Sequence, residues 1–287
     1  MDASRTAAIL FPGQGVGDAK TRGLVAELRP DLLELASELV GEDPFDRIAD
    51  GTAYAQPAVY CASIAGYAQL GPRRADYFAG HSLGEITALA AAGALDDRDG
   101  LRVVVARGRA MDDAARQGEP GAMLAVGSDR ARAEALADDH DLIVANENSP
   151  EQFVLSGPLA GIERALIEAK AEGVRAKRLA VAGAFHTPAM EPCVEPFRAA
   201  LDHVEFREPA APVVSSTTAD FFADDPRDAL ASSLISPIRW TAVIWKLRTI
   251  GVTHYLDVGP GKVLAGLVRR TIEGADVEWL TKEKALA

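Results

Sequence analysis

Two cysteines in 287 residues leave little from which to build a disulfide framework or a thiolate metal site. Cys61 and Cys193 stand in unrelated surroundings, with no CxxC and no Cys/His cluster, so both read as small buried hydrophobes. Long hydrophobic runs are missing too. The start, MDASRTAAILFPGQG, has no basic stretch followed by an apolar core, and no later segment approaches the ~20 apolar residues that span a bilayer. The expectation is a soluble, cytoplasmic protein. Positive charge is in short supply, 30 Lys and Arg against 42 Asp and Glu, for a net charge of -12. Such a chain repels nucleic acid and anionic membranes at long range. What is there is ordinary globular material, 48% hydrophobic and 25% charged, enough for one large domain with a smaller companion.

TAAILF (6–11) is a strand closed by Pro12 and Gly13. Leu24, Leu28, Leu32, Leu35 and Leu39 recur at three- and four-residue spacings and predict a helix over 22–40, and QPAVYCASIAGYAQL (56–70) predicts another. DYFAG (76–80) is a strand, and a third helix covers Leu83 to Ala92. This order is that of an α/β domain. Residues 121–185 read differently: GAMLAVG strand, DRARAEALADD helix, DLIVANEN and QFVLSG strands, LAGIERALIEAKAEG helix, AKRLAVAG strand. The β-α-β-β-α-β succession is the ferredoxin-like signature. The expected architecture is a large α/β domain (1–120 and 186–287) carrying a small inserted ferredoxin-like subdomain (121–185). Beyond it come a strand in APVVSSTT, a helix near 226–234, a helix over SPIRWTAVIWKLRTIG with Ser236 as N-cap and Pro237 first, and a strand in THYLDVG. The tail TKEKALA reads as frayed.

GHSLG (80–84) sets Ser82 between a strand and a helix. In a G-x-S-x-G elbow this turn lifts the serine oxygen out of the fold while the following N–H groups converge on one spot. A second role for Ser82 is to cap the helix of 83–92, with Glu85 completing a capping box; the two roles are compatible. A serine needs a base within hydrogen-bond reach. Of the five histidines, His81 is adjacent and points away on such a turn, His140 and His203 lie in charged surroundings, and His254 sits in a strand pattern. His186, in VAGAFHTPAM, follows a strand at an irregular chain end, where functional groups gather. Gln14, in LFPGQG, directly follows the first strand, where its N–H can approach a ligand or simply form a turn. Arg107, in VVVARGRAM, lies on an apolar helix and is a natural bidentate partner for a carboxylate; Arg109 faces another side and is solvated or salt-bridged.

Taken in order, FPGQG (11–15), GHSLGE (80–85), ARGRAM (106–111), GAM (121–123), GAFHTPAM (183–190), SPIRW (236–240) and DVGPGKVLAGLVRR (257–270) resemble the motifs of malonyl-CoA:acyl carrier protein transacylases and of polyketide synthase acyltransferase domains. The resemblance runs from residue 7 to about 271. Val16 departs from it, standing where the family commonly has Ser, and the chain is at the family's short end. The resemblance implies an α/β-hydrolase-like large domain with a parallel sheet. It implies Ser82 as nucleophile, His186 as general base, the backbone N–H groups of Gln14 and Leu83 as oxyanion hole, and Arg107 as the grip on a malonyl carboxylate. In place of a triad acid it implies a main-chain carbonyl, here in the Ser236–Arg239 region.

The reaction implied is ping-pong, with no permanently bound cofactor and no metal: malonyl-CoA acylates Ser82, and the phosphopantetheine thiol of an acyl carrier protein takes the group off. Phe185 before His186 implies malonyl over methylmalonyl, since it leaves little room for an α-methyl group. Carrier proteins are acidic, so a local basic surface is expected, with Lys170, Arg175, Lys177, Arg178, Lys262, Arg269 and Arg270 as candidates. A monomer is the family's common state. The alternatives are an α/β-type serine hydrolase or thioesterase with His254 as base, and a non-catalytic module of the same fold.

Overall fold

The computed structural model describes residues 5–14, 21–71, 75–181 and 183–280. Strand β1 (Ala7–Phe11) leads through helices α1 (Thr21–Leu28), α2 (Pro30–Val40) and α3 (Thr52–Gln69) to β2 (Tyr77–Gly80), α4 (Gly84–Ala91) and the long α5 (Asp97–Gln117). The single helix expected over 22–40 is two. Pro30 has no N–H to continue α1 and its ring opposes the preceding turn, so the chain restarts with Pro30 as the first residue of α2. There follow β3 (Gly121–Gly127), α6 (Arg130–Asp139), β4 (Ile143–Ser149), β5 (Gln152–Pro158), α7 (Leu159–Ala171) and β6 (Arg175–Arg178). The last part contributes α8 (Glu191–Asp202), β7 (Val213–Val214), α9 (Arg227–Ser232), α10 (Trp240–Thr249), β8 (His254–Asp257), α11 (Val263–Thr271) and β9 (Asp276–Trp279). Val16 and the tail from 281 lie outside the described residues.

Strands β7, β2, β1, β8 and β9, in that order, form a parallel sheet. Its central strands are apolar because helices cover both faces. On β1 the pleat sends Ile9 and Phe11 into a core shared with α3, α4 and α5, and Ala8 and Leu10 into one shared with α10 and α11. Phe11 pairs with Gly80, so the chain leaves β1 and β2 at the same edge and delivers Gln14 and Ser82 to one place. The carboxyl ends of strands are where open α/β sheets bind their ligands.

The second sheet is antiparallel in the order β4-β5-β3-β6. Helices α6 and α7 cover one face around Leu124, Leu136, Leu155 and Ile162. Its other face, with Met123, Ala145 and Val154, packs into the main core beside Phe185. The expected last strand, AKRLAVAG, ends at Arg178. The chain instead crosses over Gly121, whose missing Cβ would sit 2.6 Å from the Ala184 nitrogen, and so carries His186 toward the main sheet. The helix expected from Ser236 begins at Trp240, with Arg239 as N-cap. Ile238 is drawn into extended pairing with β4: its N–H donates to the Ala145 carbonyl and its carbonyl accepts from the Glu147 N–H, both at 2.8 Å. That pairing satisfies backbone groups a helix would have used and ties the two sheets together.

Candidate active site

Gly80 and Gly84 flank the turn because backbone passes over both. A Cβ on Gly80 would lie 1.9 Å from the Gly84 carbonyl carbon, and one on Gly84 would lie 2.2 Å from the Phe11 carbonyl oxygen. The glycines therefore allow close approach, while the strain falls on the serine: Ser82 has φ 53°, in the left-handed region that side chains avoid. His186, at φ 60°, shares this conformation. The capping box is not made, and no side chain caps α4. Glu85 turns inward instead and accepts at Oε1 from the Ser215 hydroxyl at 3.0 Å and the Ser216 N–H at 2.6 Å. The Ser216 hydroxyl in turn accepts the Ser82 N–H at 3.3 Å. These bonds help turn the chain away after Val214, where APVVSSTT suggests a longer strand.

Ser82 Oγ lies 2.8 Å from His186 Nε2, across 104 positions of sequence. His186 Nδ1 lies 2.8 Å from the Ser233 carbonyl oxygen. A carbonyl only accepts, so Nδ1 carries the hydrogen and Nε2 is left as the acceptor of the serine proton. The orienting carbonyl thus stands just after α9, three residues before the Ser236–Arg239 segment expected to supply it. The reason is the pairing of Ile238, which holds that segment extended against β4; the Ser236 main chain makes only a smaller contribution at the imidazole. Burial, and then the nearby Arg107 charge, push the imidazole down to about 3, so at neutral pH it is a proton-free base.

Arg107 projects from α5 and is 2% exposed. Its Nη1 donates to Gln56 Oε1 at 2.8 Å and its Nη2 to Ser82 Oγ at 3.0 Å. Burial lowers it to about 10, opposed by the Glu85 charge, and it remains a cation at pH 7. Gln56 was not apparent as a site residue from sequence, although a glutamine inside the apolar run AYAQPAVY is the available signal. Its Nε2 donates to Thr52 Oγ1 at 2.7 Å, and Thr52 Oγ1 donates to Gln14 Oε1 at 2.6 Å. Glycine at 108 lets α5 come this near α3, since a Cβ there would lie 3.0 Å from the Thr52 carbonyl. One chain of hydrogen bonds therefore runs from Gln14 through Thr52, Gln56 and Arg107 to Ser82 and His186.

Leu83 occupies the N-cap of α4, and its N–H meets no acceptor among the described residues. The positive end of that helix points the same way. Gln14 is brought alongside because the His81 N–H donates to the Phe11 carbonyl at 2.9 Å. A cavity of about 560 Å³ opens beside this site, its wall including Gln14, Thr52, Asp112, Arg116, Leu179 and Phe185. Phe185 is 6% exposed and packed against Gly183, where a Cβ would come within 2.5 Å of the ring. Three of the other four histidines are engaged elsewhere: His81 with Asn148 at 2.8 Å, His140 with Glu168 at 2.9 Å and His254 with Asp276 at 3.1 Å; His203 is the C-cap of α8. Arg109 donates to the Leu39 carbonyl, and both cysteines are free and buried. Among the described residues no helix is long and apolar enough to cross a membrane.

What this arrangement can do is take an acyl group onto a serine oxygen and pass it to a second nucleophile, which sets fold and site in the acyltransferase class. The chain belongs to the acyl transferase domain family, whose model matches residues 35–282. It is 38% identical to the malonyl CoA-acyl carrier protein transacylase of Bacillus subtilis over 92% of this chain and 89% of that one. Against the Escherichia coli K12 protein of the same name it is 34% identical, over 98% of this chain and 97% of that one. The crystal structure of the malonyl-CoA:acyl carrier protein transacylase of Xanthomonas oryzae matches with a TM-score of 0.89 at 34% identity, covering 100% of this chain and 97% of that one.

Proposed function

We propose that this protein moves a malonyl group from malonyl-CoA to the phosphopantetheine thiol of an acyl carrier protein, for fatty acid or polyketide synthesis. Arg107 carries the reading. Its guanidinium sits 3.0 Å from Ser82 Oγ, close enough to donate to the free carboxylate of a three-carbon diacid whose other end has reacted with that oxygen. In the first half-reaction Ser82 Oγ attacks the thioester carbonyl and its proton passes to His186 Nε2. The Ser233 carbonyl steadies the imidazolium through Nδ1–H. The oxyanion faces the N–H groups of Leu83 and Gln14, each such donor worth roughly 3 kcal/mol in the barrier. Collapse expels the CoA sulfur, which takes the proton from Nε2. The carrier thiol repeats these steps in reverse, with His186 as base for its sulfur.

Phe185 in the cavity wall favours malonyl over methylmalonyl, because a packed ring yields no room for a further methyl. The second-sheet unit, 121–185, supplies the other wall of the cleft and limits water around the ester. For carrier docking, Arg175, Lys177 and Arg270 line one groove, together with Glu151, and Leu179 belongs to both this groove and the site cavity. Arg269 and Lys262 are turned onto Trp279, and Arg178 faces Glu163 at 3.9 Å, so they are weaker candidates. The hydrolase alternative is disfavoured because His254 is bound to Asp276 rather than placed at Ser82. Intact-mass measurement after mixing with malonyl-CoA tests the proposal. A malonyl adduct that is absent from Ser82→Ala supports it; immediate release of free malonate supports hydrolysis, and no adduct supports a non-catalytic module.

A further inference from the structure

The mechanism above leaves the buried carboxyl of Glu85 unused. Glu85 is 1% exposed and lies directly under the serine turn. Its Oε1 takes two hydrogen bonds, from Ser215 and Ser216, whereas Oε2 is buried with no hydrogen-bond partner. A bare carboxylate oxygen is costly away from water unless an opposite charge offsets it. Strands β1 and β2 and helix α3, against which α4 packs, contain no Asp, Glu, Lys, Arg or His. The Tyr60 and Cys61 groups of α3 are pushed up by burial, and Tyr67 likewise. On α5 the only buried charge is Arg107. His186 and His81 are both held neutral by burial. Arg107 in turn bonds neutral oxygens, on Gln56 and Ser82. The site therefore holds one carboxyl group and one cation that attract each other without touching.

We infer that Glu85 is the internal counter-anion of Arg107 and takes up a proton from solvent when the carboxylate of the incoming acyl group binds that guanidinium. The inference rests on the malonyl reading above. A substrate carboxylate on Arg107 spends the positive charge that favours ionised Glu85 and adds a second anion nearby. Oε2 offers the proton a seat that leaves the Ser215 and Ser216 bonds, and with them the Ser82 turn, untouched. Burial already lifts Glu85 to about 7 against the hydrogen bonds from Ser216 and Ser215 and the smaller pull of Arg107, so a modest further rise carries it through the physiological range. Acyl groups without a free carboxylate draw no proton.

Calorimetry on the Ser82→Ala protein, which binds without acylation, tests this in two buffers of different ionisation enthalpy near pH 7.5. The expected result is an uptake of about 0.3 proton or more per site for malonyl-CoA beyond that for acetyl-CoA, a comparison that cancels the phosphates of CoA. In Ser82→Ala/Glu85→Gln the excess disappears. Equal uptake with both esters, or an excess that survives Glu85→Gln, overturns the inference; the first contrast decides alone if the double variant does not fold. Absence of any malonyl-CoA binding overturns the functional reading itself, and is distinct from binding whose heat is independent of buffer.

Discussion

Replacing Arg107 by methionine keeps an unbranched side chain of similar length in the buried space on α5 while removing the guanidinium. A carboxylate held through two charge-assisted hydrogen bonds loses roughly 1.5–3 kcal/mol for each. The sum, about 3–6 kcal/mol, lowers kcat/KM for malonyl-CoA by about 10²- to 10⁴-fold. Acetyl-CoA presents no carboxylate to Arg107, so its acylation of Ser82 changes little. The fold tolerates the change because Glu85, once without its counter-charge, is neutral at pH 7. Gln56→Leu, which frees Nη1 but leaves the charge, gives an intermediate loss of about tenfold. Rapid quenching followed by intact-mass measurement of the acyl-enzyme, with both esters, reads the preference directly. If malonyl and acetyl transfer fall by the same factor, Arg107 serves the chemistry in general and its role as selector is refuted.

At saturating malonyl-CoA, single-turnover acylation of Ser82 shows no inflection near 6.5, because burial, the larger cause that lowers His186, persists when substrate covers the Arg107 charge; an inflection there contradicts this. Gly84→Ala would force a Cβ to within 2.2 Å of the Phe11 carbonyl oxygen, and it lowers unfolding free energy by more than ~3 kcal/mol in denaturant titration; a tolerated alanine refutes the packing described for the turn. Asp257, which accepts the Ala265 N–H at 2.8 Å, is raised by burial from 3.8 to about 7. Folded protein thus holds its proton more tightly than unfolded chain, so its contribution is full below about pH 4 and is lost as pH rises through 7. Asp257→Asn keeps the acceptor and escapes that loss, gaining up to roughly 4 kcal/mol relative to wild type between pH 4 and pH 8.

Much of the site was readable in one dimension because its chemistry needs particular side chains. Ser82 between two glycines, Arg107 on an apolar helix and His186 at a chain end announce themselves by residue type, and the short apolar strands announce the parallel sheet. What remained hidden is what the backbone supplies. The carbonyl that orients His186 belongs to Ser233, and any residue could present it, so nothing in the sequence marks the position. Long-range pairing is equally silent: Ser236-Pro237 is a good helix start by local rules, yet Ile238 pairs with β4 and wins. Glu85 was the most misleading position. A glutamate three residues after a serine is the capping-box pattern, but the seven buried residues of α4 leave it no solvent, and serines 130 positions away claim it. Gln56 and Thr52 carried a signal, polar groups in a buried helix, that acquires meaning only when α5 is seen beside α3.

The most direct test of transfer through an acyl-serine is to isolate the malonyl-enzyme, free of CoA, and divide it between buffer and a carrier protein bearing phosphopantetheine. The prediction is an adduct on the peptide containing Ser82 that persists in buffer and moves stoichiometrically to the carrier thiol within the time of one turnover. An adduct on another residue, or one lost to water as fast as to the carrier, would contradict it.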